Sequence, residues 1–214
     1  MSDRVLVIET ATAACSVALI KGGEVVARRH EVVGRGHAER LVPMIAELPD
    51  GGRGARILVD CGPGSFTGVR VGLAAARGLA LGWGVPVAGF SSMALVAAAA
   101  LARSGAPAVA TVLEGGHGEL FVQVFANPLA PTGPLASLKP EPALAALAGL
   151  VAAGNGLAAL AALDPALMVM EALPDAADAV LLPAVLAALP PRPIYGRAPD
   201  AKLPGGRHPE EASR

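Results

Sequence analysis

The segment Gly62-Pro63-Gly64-Ser65-Phe66-Thr67-Gly68-Val69-Arg70-Val71-Gly72 constrains this chain more than any other. It follows an apolar run, Ile57-Leu58-Val59-Asp60-Cys61, and precedes a long stretch of small residues. The first reads as a buried strand and the second as a helix, so the segment between them must be a sharp strand-to-helix turn. Gly62 and Gly64 can take positive φ without a Cβ clash, and Pro63 fixes its own φ. Ser65 or Thr67 can cap the helix by accepting a hydrogen bond from a free backbone N–H. Such free N–H groups also attract anions. Gly62, Pro63, Gly64, Ser65, Thr67 and Gly68 therefore read as a structural turn, with an anion site as the competing reading.

Three chemistries fail position by position. A phosphate-binding P-loop needs Lys and a hydroxyl after its last glycine, but Gly68 is followed by Val69 and Arg70. A nucleophile elbow needs Gly two residues before its Ser, but Pro63 stands there. A dinucleotide fingerprint needs a third glycine where Thr67 stands. Beyond the turn, residues 69–83 carry only Arg70 and Arg77 as charges, on one side of a helix. A helix apolar nearly all round is buried nearly all round. It is either the central helix of one domain or a helix that also packs on a second subunit.

Composition narrows the function. The chain has 214 residues, is 53% hydrophobic and 16% charged, and carries a formal net charge of -1. That favours a large core over broad electrostatic contact with nucleic acid. Aromatic residues make up 3%, too few for base-stacking platforms, so any nucleic acid is expected to be held by a partner. Cys15 and Cys61 lie in or beside strand-like runs and read as core thiols of a cytoplasmic protein without a signal peptide. The Ala-rich runs 94–102 and 143–153 are too interrupted to cross a membrane.

The order of elements is repetitive. Strands are expected at 4–10, 15–20 and 24–32, with Lys21-Gly22-Gly23 as a hairpin turn. A helix over 37–48 carries the apolar stripe Leu41, Met44, Ile45 and Leu48, and Pro43 should kink it or shift its start. Then come strand 57–61, the glycine turn, helix 69–83, strand 85–89 and helix 92–102. After Ser104-Gly105-Ala106-Pro107, strands at 108–113 and 119–125 restart the pattern. The last clear helix is expected over 176–189, interrupted at Pro183. Two units follow, 1–104 and 105–214, the second a degenerate copy ending in an arm.

With these residues in view, the chain resembles the TsaB (YeaZ) family. The resemblance rests on Val7-Ile8-Glu9-Thr10-Ala11-Thr12, Cys15-Ser16-Val17-Ala18-Leu19, His37…Leu41-Val42-Pro43-Met44-Ile45, the Gly62–Gly72 block and Pro86…Gly89-Phe90-Ser91-Ser92-Met93. Gly118-Glu119-Leu120-Phe121-Val122 and Pro193-Ile194-Tyr195-Gly196-Arg197-Ala198-Pro199-Asp200-Ala201 look like two later motifs of that family. The resemblance implies a duplicated α/β fold, actin-like and Hsp70-like (ASKHA), built on a ribonuclease-H-like unit. It implies a cytoplasmic, non-catalytic subunit for threonylcarbamoyladenosine at position 37 of tRNA. In this family a related catalytic subunit, TsaD, is the partner, an ATPase, TsaE, joins the assembly, and the chain alone forms a homodimer. Family members have also been labelled glycoprotease-like or M22 peptidase homologues.

On that resemblance the partner interface is expected on Leu41, Met44, Ile45, Arg70, Leu73, Ala76, Arg77 and Ala80. tRNA is expected only through the complex, and no membrane contact. No catalytic residue, metal ligand or cofactor is expected in the chain itself, with ATP or ADP only at an interface of the complex. Thr10, Thr12, Gly115 and Gly116 remain as weak anion or nucleotide candidates. The four His are not spaced as the paired His of the metal-bearing relative. The competing reading is an ATP-dependent phosphotransferase or glycoprotease-like hydrolase using Glu9, Ser65 or Thr67, and Glu114. Three departures from the family stand out: a short link between Leu48 and Ile57, the run Glu114-Gly115-Gly116-His117, and Gly196 in place of an apolar residue.

Overall fold

The computed structural model describes residues 3–196. Its first sheet forms from β1 (Arg4–Glu9), β2 (Ala14–Lys21), β3 (Glu24–Val32), β4 (Arg56–Asp60) and β5 (Val87–Phe90), in the order β3-β2-β1-β4-β5. β1, β2 and β3 are an antiparallel meander, while β4 and β5 run parallel to β1. The Gly22-Gly23 turn closes the meander with both residues at positive φ, as a two-residue hairpin between twisted strands requires. Alternation sorts the side chains. Leu6, Ile8, Ile57 and Val59 enter the core on one face, and Val7 and Leu58 enter the core on the other.

The second sheet repeats this plan. β6 (Ala108–Gly116) and β7 (Glu119–Ala126) are an antiparallel hairpin, and β10 (Val151–Gly154) and β11 (Val169–Glu171) run parallel to β6. The short β8 (Ala130–Pro131) and β9 (Ala136–Leu138) both pair with β7, where the third meander strand of the first half lies. Two copies of one hairpin-plus-parallel-strands unit make this a duplicated ribonuclease-H-like fold of the actin-like class. The second copy is the poorer one, with a three-residue β11 and helices α4 (Pro140–Ala146) and α5 (Ala158–Leu163) of seven and six residues.

Helices α1 (His37–Ala46) and α2 (Phe66–Trp83) cover the outer face of the first sheet, and α4 and α5 that of the second. Helix α3 (Ser92–Ser104) lies between the halves, with residues 92–101 all buried. The all-round-apolar rule thus fits α3, whereas α2 leaves a face in solvent. Pro43 sits inside α1 without ending it, and the helix stops at Ala46, before a 3-10 turn over Pro49–Gly52. That turn is tied down by the Arg4–Asp50 ion pair, and Gly52 lies where a Cβ would meet Ile45.

The expected helix over 176–189 is corrected to a 3-10 segment, Ala176–Leu181, followed by turns. Ala176, Ala177 and Ala179 are buried against the first sheet, and Asp175 caps the segment by accepting the Ala177 N–H at 2.9 Å. Asp175 also accepts from Ser16 Oγ at 3.1 Å and pairs with Arg28 and His30. The arm beyond it returns to the first half: Leu189 bridges Gly89, and the Ile194 N–H donates to the Cys61 carbonyl at 2.7 Å. No helix among the described residues is long and apolar enough to cross a membrane.

Candidate functional site

The glycine block is built against the end of β1. The Ser65 N–H donates to the Ala11 carbonyl at 2.6 Å, and Thr10 Oγ1 donates to the Gly68 carbonyl at 2.8 Å. A Cβ at Gly64 would run into the Ala11 carbonyl, one at Gly68 into the Thr10 carbonyl, and one at Gly72 into Thr10 Oγ1. The fourfold spacing thus lays the turn and the start of α2 directly on Thr10 and Ala11. Gly62 takes φ 89, as expected of it, while Gly64 does not and is glycine because of this close approach. Ser65 is the cap, accepting the Gly68 N–H at 3.2 Å, and Thr67 is exposed. Pro63 is buried and its carbonyl accepts from Ser92 Oγ at 2.7 Å.

Directly beneath lies a pair of carboxyls that the residue pattern did not announce. Glu9 and Asp60 are both 0% exposed and in hydrogen-bond contact. They end the parallel neighbours β1 and β4, one step beyond the paired Ile8 and Val59. Glu9 Oε1 accepts the Ala11 N–H at 2.7 Å and Asp60 Oδ1 the Gly62 N–H at 3.0 Å. Burial pushes Asp60 up to about 7, against the pull of peptide N–H donors. Burial, followed by the Asp60 charge, raises Glu9 well above the carboxylate range. The signal available in sequence was that two apolar runs, 5–8 and 57–59, each end in an acid before a turn.

Between the halves opens a cleft of about 840 Å³. Thr12, Ser65, Phe66 and Arg70 line it from the first half, and Glu114, Gly115, Gly116 and His117 from the second. Three of the anion or nucleotide candidates, Thr12, Gly115 and Gly116, therefore come together. Thr10 does not, being wholly buried under α2 with its hydroxyl bonded to Gly68. The Thr12 hydroxyl accepts the Ala14 N–H at 3.3 Å and so shapes the β1–β2 turn. The suggested pairing of Glu9 with Glu114 is corrected: Glu114 is exposed in the cleft, and Glu9 is sealed beside Asp60. At the mouth, the Arg70 guanidinium stacks 3.3 Å from the Phe66 ring centroid and donates to Tyr195 Oη at 3.1 Å.

The expected interface residues divide sharply. Leu41, Met44, Ile45, Leu73, Ala76 and Ala80 are all core residues of the first half, between 0% and 8% exposed. They form the inward stripes of α1 and α2 and cannot be offered to a partner. Arg70 and Arg77 are exposed, but Arg77 holds the arm by donating to the Pro191 carbonyl at 2.7 Å, much as Arg70 holds Tyr195. The open face belongs to other residues. Val42 on α1 is 55% exposed and Leu81 on α2 is 87% exposed. Ala46, Ala74, Gly78 and Gly82 are exposed as well. A Cβ at Gly78 or Gly82 would meet nothing within 4 Å.

Other readings sort simply. Arg40 is half-buried and bridges Glu31 at 2.5 Å and Glu47 at 2.8 Å, rather than lying in a solvated face, while Glu39 is exposed. Trp83 packs half-buried on the first core. Gly196 has a reason of its own: a Cβ there would enter the Phe121 ring. Arg197, Ala198, Pro199, Asp200 and Ala201 of that motif lie outside the described residues. Burial raises the thiols of Cys15 to about 12 and Cys61 to about 11, which leaves neither as a thiolate near neutrality.

Residues 24–128 match the family model described as TsaD, tRNA N6-adenosine threonylcarbamoyltransferase. The chain is 38% identical over 123 residues to the tRNA threonylcarbamoyladenosine biosynthesis protein TsaB of Escherichia coli K12, a match spanning 55% of this chain and 53% of that protein. The chain thus spans about half the length of that relative. Two solved structures from Pseudomonas aeruginosa extend the likeness. One, an uncharacterized protein with similarity to peptidase YeaZ, has a TM-score of 0.77 and 32% identity, covering 92% of this chain and 100% of the other. The second, YeaZ, has a TM-score of 0.74 and 29% identity, covering 91% and 100%. Topology, the glycine block and these matches agree, and the chain belongs to the TsaB (YeaZ) family.

Proposed function

We propose that this chain is a non-catalytic scaffold subunit in the synthesis of N6-threonylcarbamoyladenosine at position 37 of tRNA, and that it docks a TsaD-like catalytic subunit on its α1–α2 face. One observation carries the docking surface. Gly64, Gly68 and Gly72 each have a reason inside the chain, whereas Gly78 and Gly82, one turn apart on the same helix, have none. Each weakens an exposed helix by about 1 kcal/mol relative to Ala. A helix carrying two such glycines beside an 87% exposed leucine is suited to the close approach of another helix. A second copy of the chain would use the same face when the partner is absent. A TsaE-like ATPase would join the assembly, and tRNA would be held through the complex in the cytoplasm.

The non-catalytic reading is supported by the state of the candidate groups. Glu9 is sealed, Thr10 and Ser65 are bonded into the turn, and both thiols are held protonated. ATP or ADP would sit at an interface of the complex. The competing reading is a phosphotransferase or hydrolase of the same fold, which would work through Glu114, the one acid among the described residues that line the cleft. Purification of both proteins together decides between them. The expected outcome is a stable complex with the TsaD-like subunit and no ATP turnover by this chain alone. ATP hydrolysis by the isolated chain, lost in Glu114→Gln, would establish the competing reading.

A further inference from the structure

Glu9 Oε2 and Asp60 Oδ2 are buried and neither accepts a hydrogen bond. Each carboxyl uses its other oxygen to hold a peptide N–H, of Ala11 and Gly62 respectively. Two facing carboxylates in a site closed to water cannot both remain ionised. A proton placed between them turns two orphaned acceptors into one hydrogen bond. We propose that Glu9 and Asp60 share a single proton, and that this proton latches the first turn of α2 onto the end of β1.

The latch is placed where it can act. Ala11 and Gly62, held by the two carboxyls, are the residues on which the α2 turn rests: Ser65 donates to the Ala11 carbonyl, and Gly64 lies against it. Asp60 accepts the Gly62 N–H and lies near the peptide N–H groups of Ser92 and Cys61, which donate to the Gly62 and Phe90 carbonyls, so the negative charge is held better on Asp60 and the proton on Glu9. The surrounding titratable groups offer no replacement cation. Cys15 on β2 feels the charge of Glu9, and Cys61, next after β4, that of Asp60. Asp175, the cap of the 3-10 segment, adds its charge near Glu9, is paired with Arg28 and lies 3.7 Å from His30. Arg77 acts on Cys61, and Glu31 and Arg40 act on Cys15. Loss of the proton therefore leaves two like charges side by side at the ends of β1 and β4, beneath the turns that hold Ala11 and Gly62. Because α2 carries the proposed docking face, a pH-dependent affinity for the partner would rest on that reading, but the latch itself does not.

The test uses the isolated chain, labelled with ¹³C and ¹⁵N, followed by NMR between pH 5 and 9. The Glu9 carboxyl carbon is expected to report a protonated group at pH 6, where an ordinary Glu is ionised. Across its transition, amide-exchange protection of Gly68, corrected for the intrinsic pH dependence of exchange, should fall at least tenfold. Glu9→Gln mimics the protonated side chain, and in it that protection should stay constant. A Glu9 carboxyl ionised at pH 6 overturns the proposal, and so does Gly68 protection that ignores the transition. The wild-type titration decides alone if the variant does not fold. No partner is present, so failure here leaves the docking proposal standing, and failure to bind a partner leaves the latch standing.

Discussion

Replacing Gly78 and Gly82 with Ala should move stability and association in opposite directions. Both positions are exposed on α2, Gly78 in its interior and Gly82 in its last turn, and an added Cβ meets nothing within 4 Å. Gly→Ala at an unstrained helical position stabilises by about 0.4–1 kcal/mol, largely by restricting the unfolded chain. Two such changes sum to roughly 1–2 kcal/mol. For a chain of this size each kcal/mol is worth about 2–4 °C in Tm, so the double variant should melt about 2–8 °C above wild type. Calorimetry on dilute, monomeric protein measures this. Sedimentation of the same variant at higher concentration, alone and with the TsaD-like subunit, reads association. There the two methyls hold an approaching helix away, and association should weaken at least tenfold. A double variant that melts lower than wild type would mean that the chain itself needs these glycines. One that melts higher yet associates as tightly would mean that the face is not the docking surface.

The glycines packed against β1 at the start of α2 should behave in reverse. Gly64→Ala and Gly68→Ala force a methyl into the Ala11 and Thr10 carbonyls, so each should destabilise by about 3 kcal/mol or more, measured by urea unfolding. The acid pair makes stability pH-dependent with a definite sign. Unfolded Glu and Asp ionise near pH 4, but in the fold burial raises both Asp60 and Glu9, so the folded pair keeps above pH 4 a proton that the unfolded chain gives up. Stability from this pair is complete below about pH 4 and is lost as pH rises through the folded values, at up to about 1.4 kcal/mol per pH unit per proton. Urea midpoints should fall between pH 5 and 7 in wild type and much less in Glu9→Gln; a midpoint that rises in wild type over that range would contradict the assignment. Cys15 and Cys61 should react with a thiol reagent at pH 8 no faster than the native protein opens, because burial holds both thiols up, at about 12 and 11. Stoichiometric reaction within seconds would refute it.

Much of the fold could be read from residues alone. Gly22-Gly23 and the alternating runs around it specify the meander, and the block from Gly62 specifies a strand, a turn and a helix. The same block shows where reading stops. Period 3.6 places Leu41, Met44 and Ile45 on one stripe and Leu73, Ala76 and Ala80 on another. It does not say which stripe faces the sheet, and on both helices the more apolar one turned inward. The exposed apolar residues Val42, Ala46, Ala74, Gly78, Leu81 and Gly82 look unremarkable until the structure leaves them uncovered. Glu9 and Asp60 meet only because β1 and β4 become parallel neighbours across some fifty residues of chain, a pairing that no local pattern encodes. Residues 176–189 have helical composition, but Asp175 and three buried alanines bind the first part of them to the first sheet, and tertiary packing overrides propensity.

Titration of the TsaD-like subunit from the same genome into wild type and Leu81→Asp tests the docking face most directly. Burying a fully exposed Leu side chain contributes about 1.5–3 kcal/mol, and an aspartate in its place adds a desolvation penalty. Leu81 is 87% exposed in the isolated chain, so the variant should fold and melt like wild type. The account predicts micromolar or tighter binding by wild type and at least a hundredfold loss in Leu81→Asp. Equal affinities for the two proteins, or no binding by a folded wild type, would contradict it.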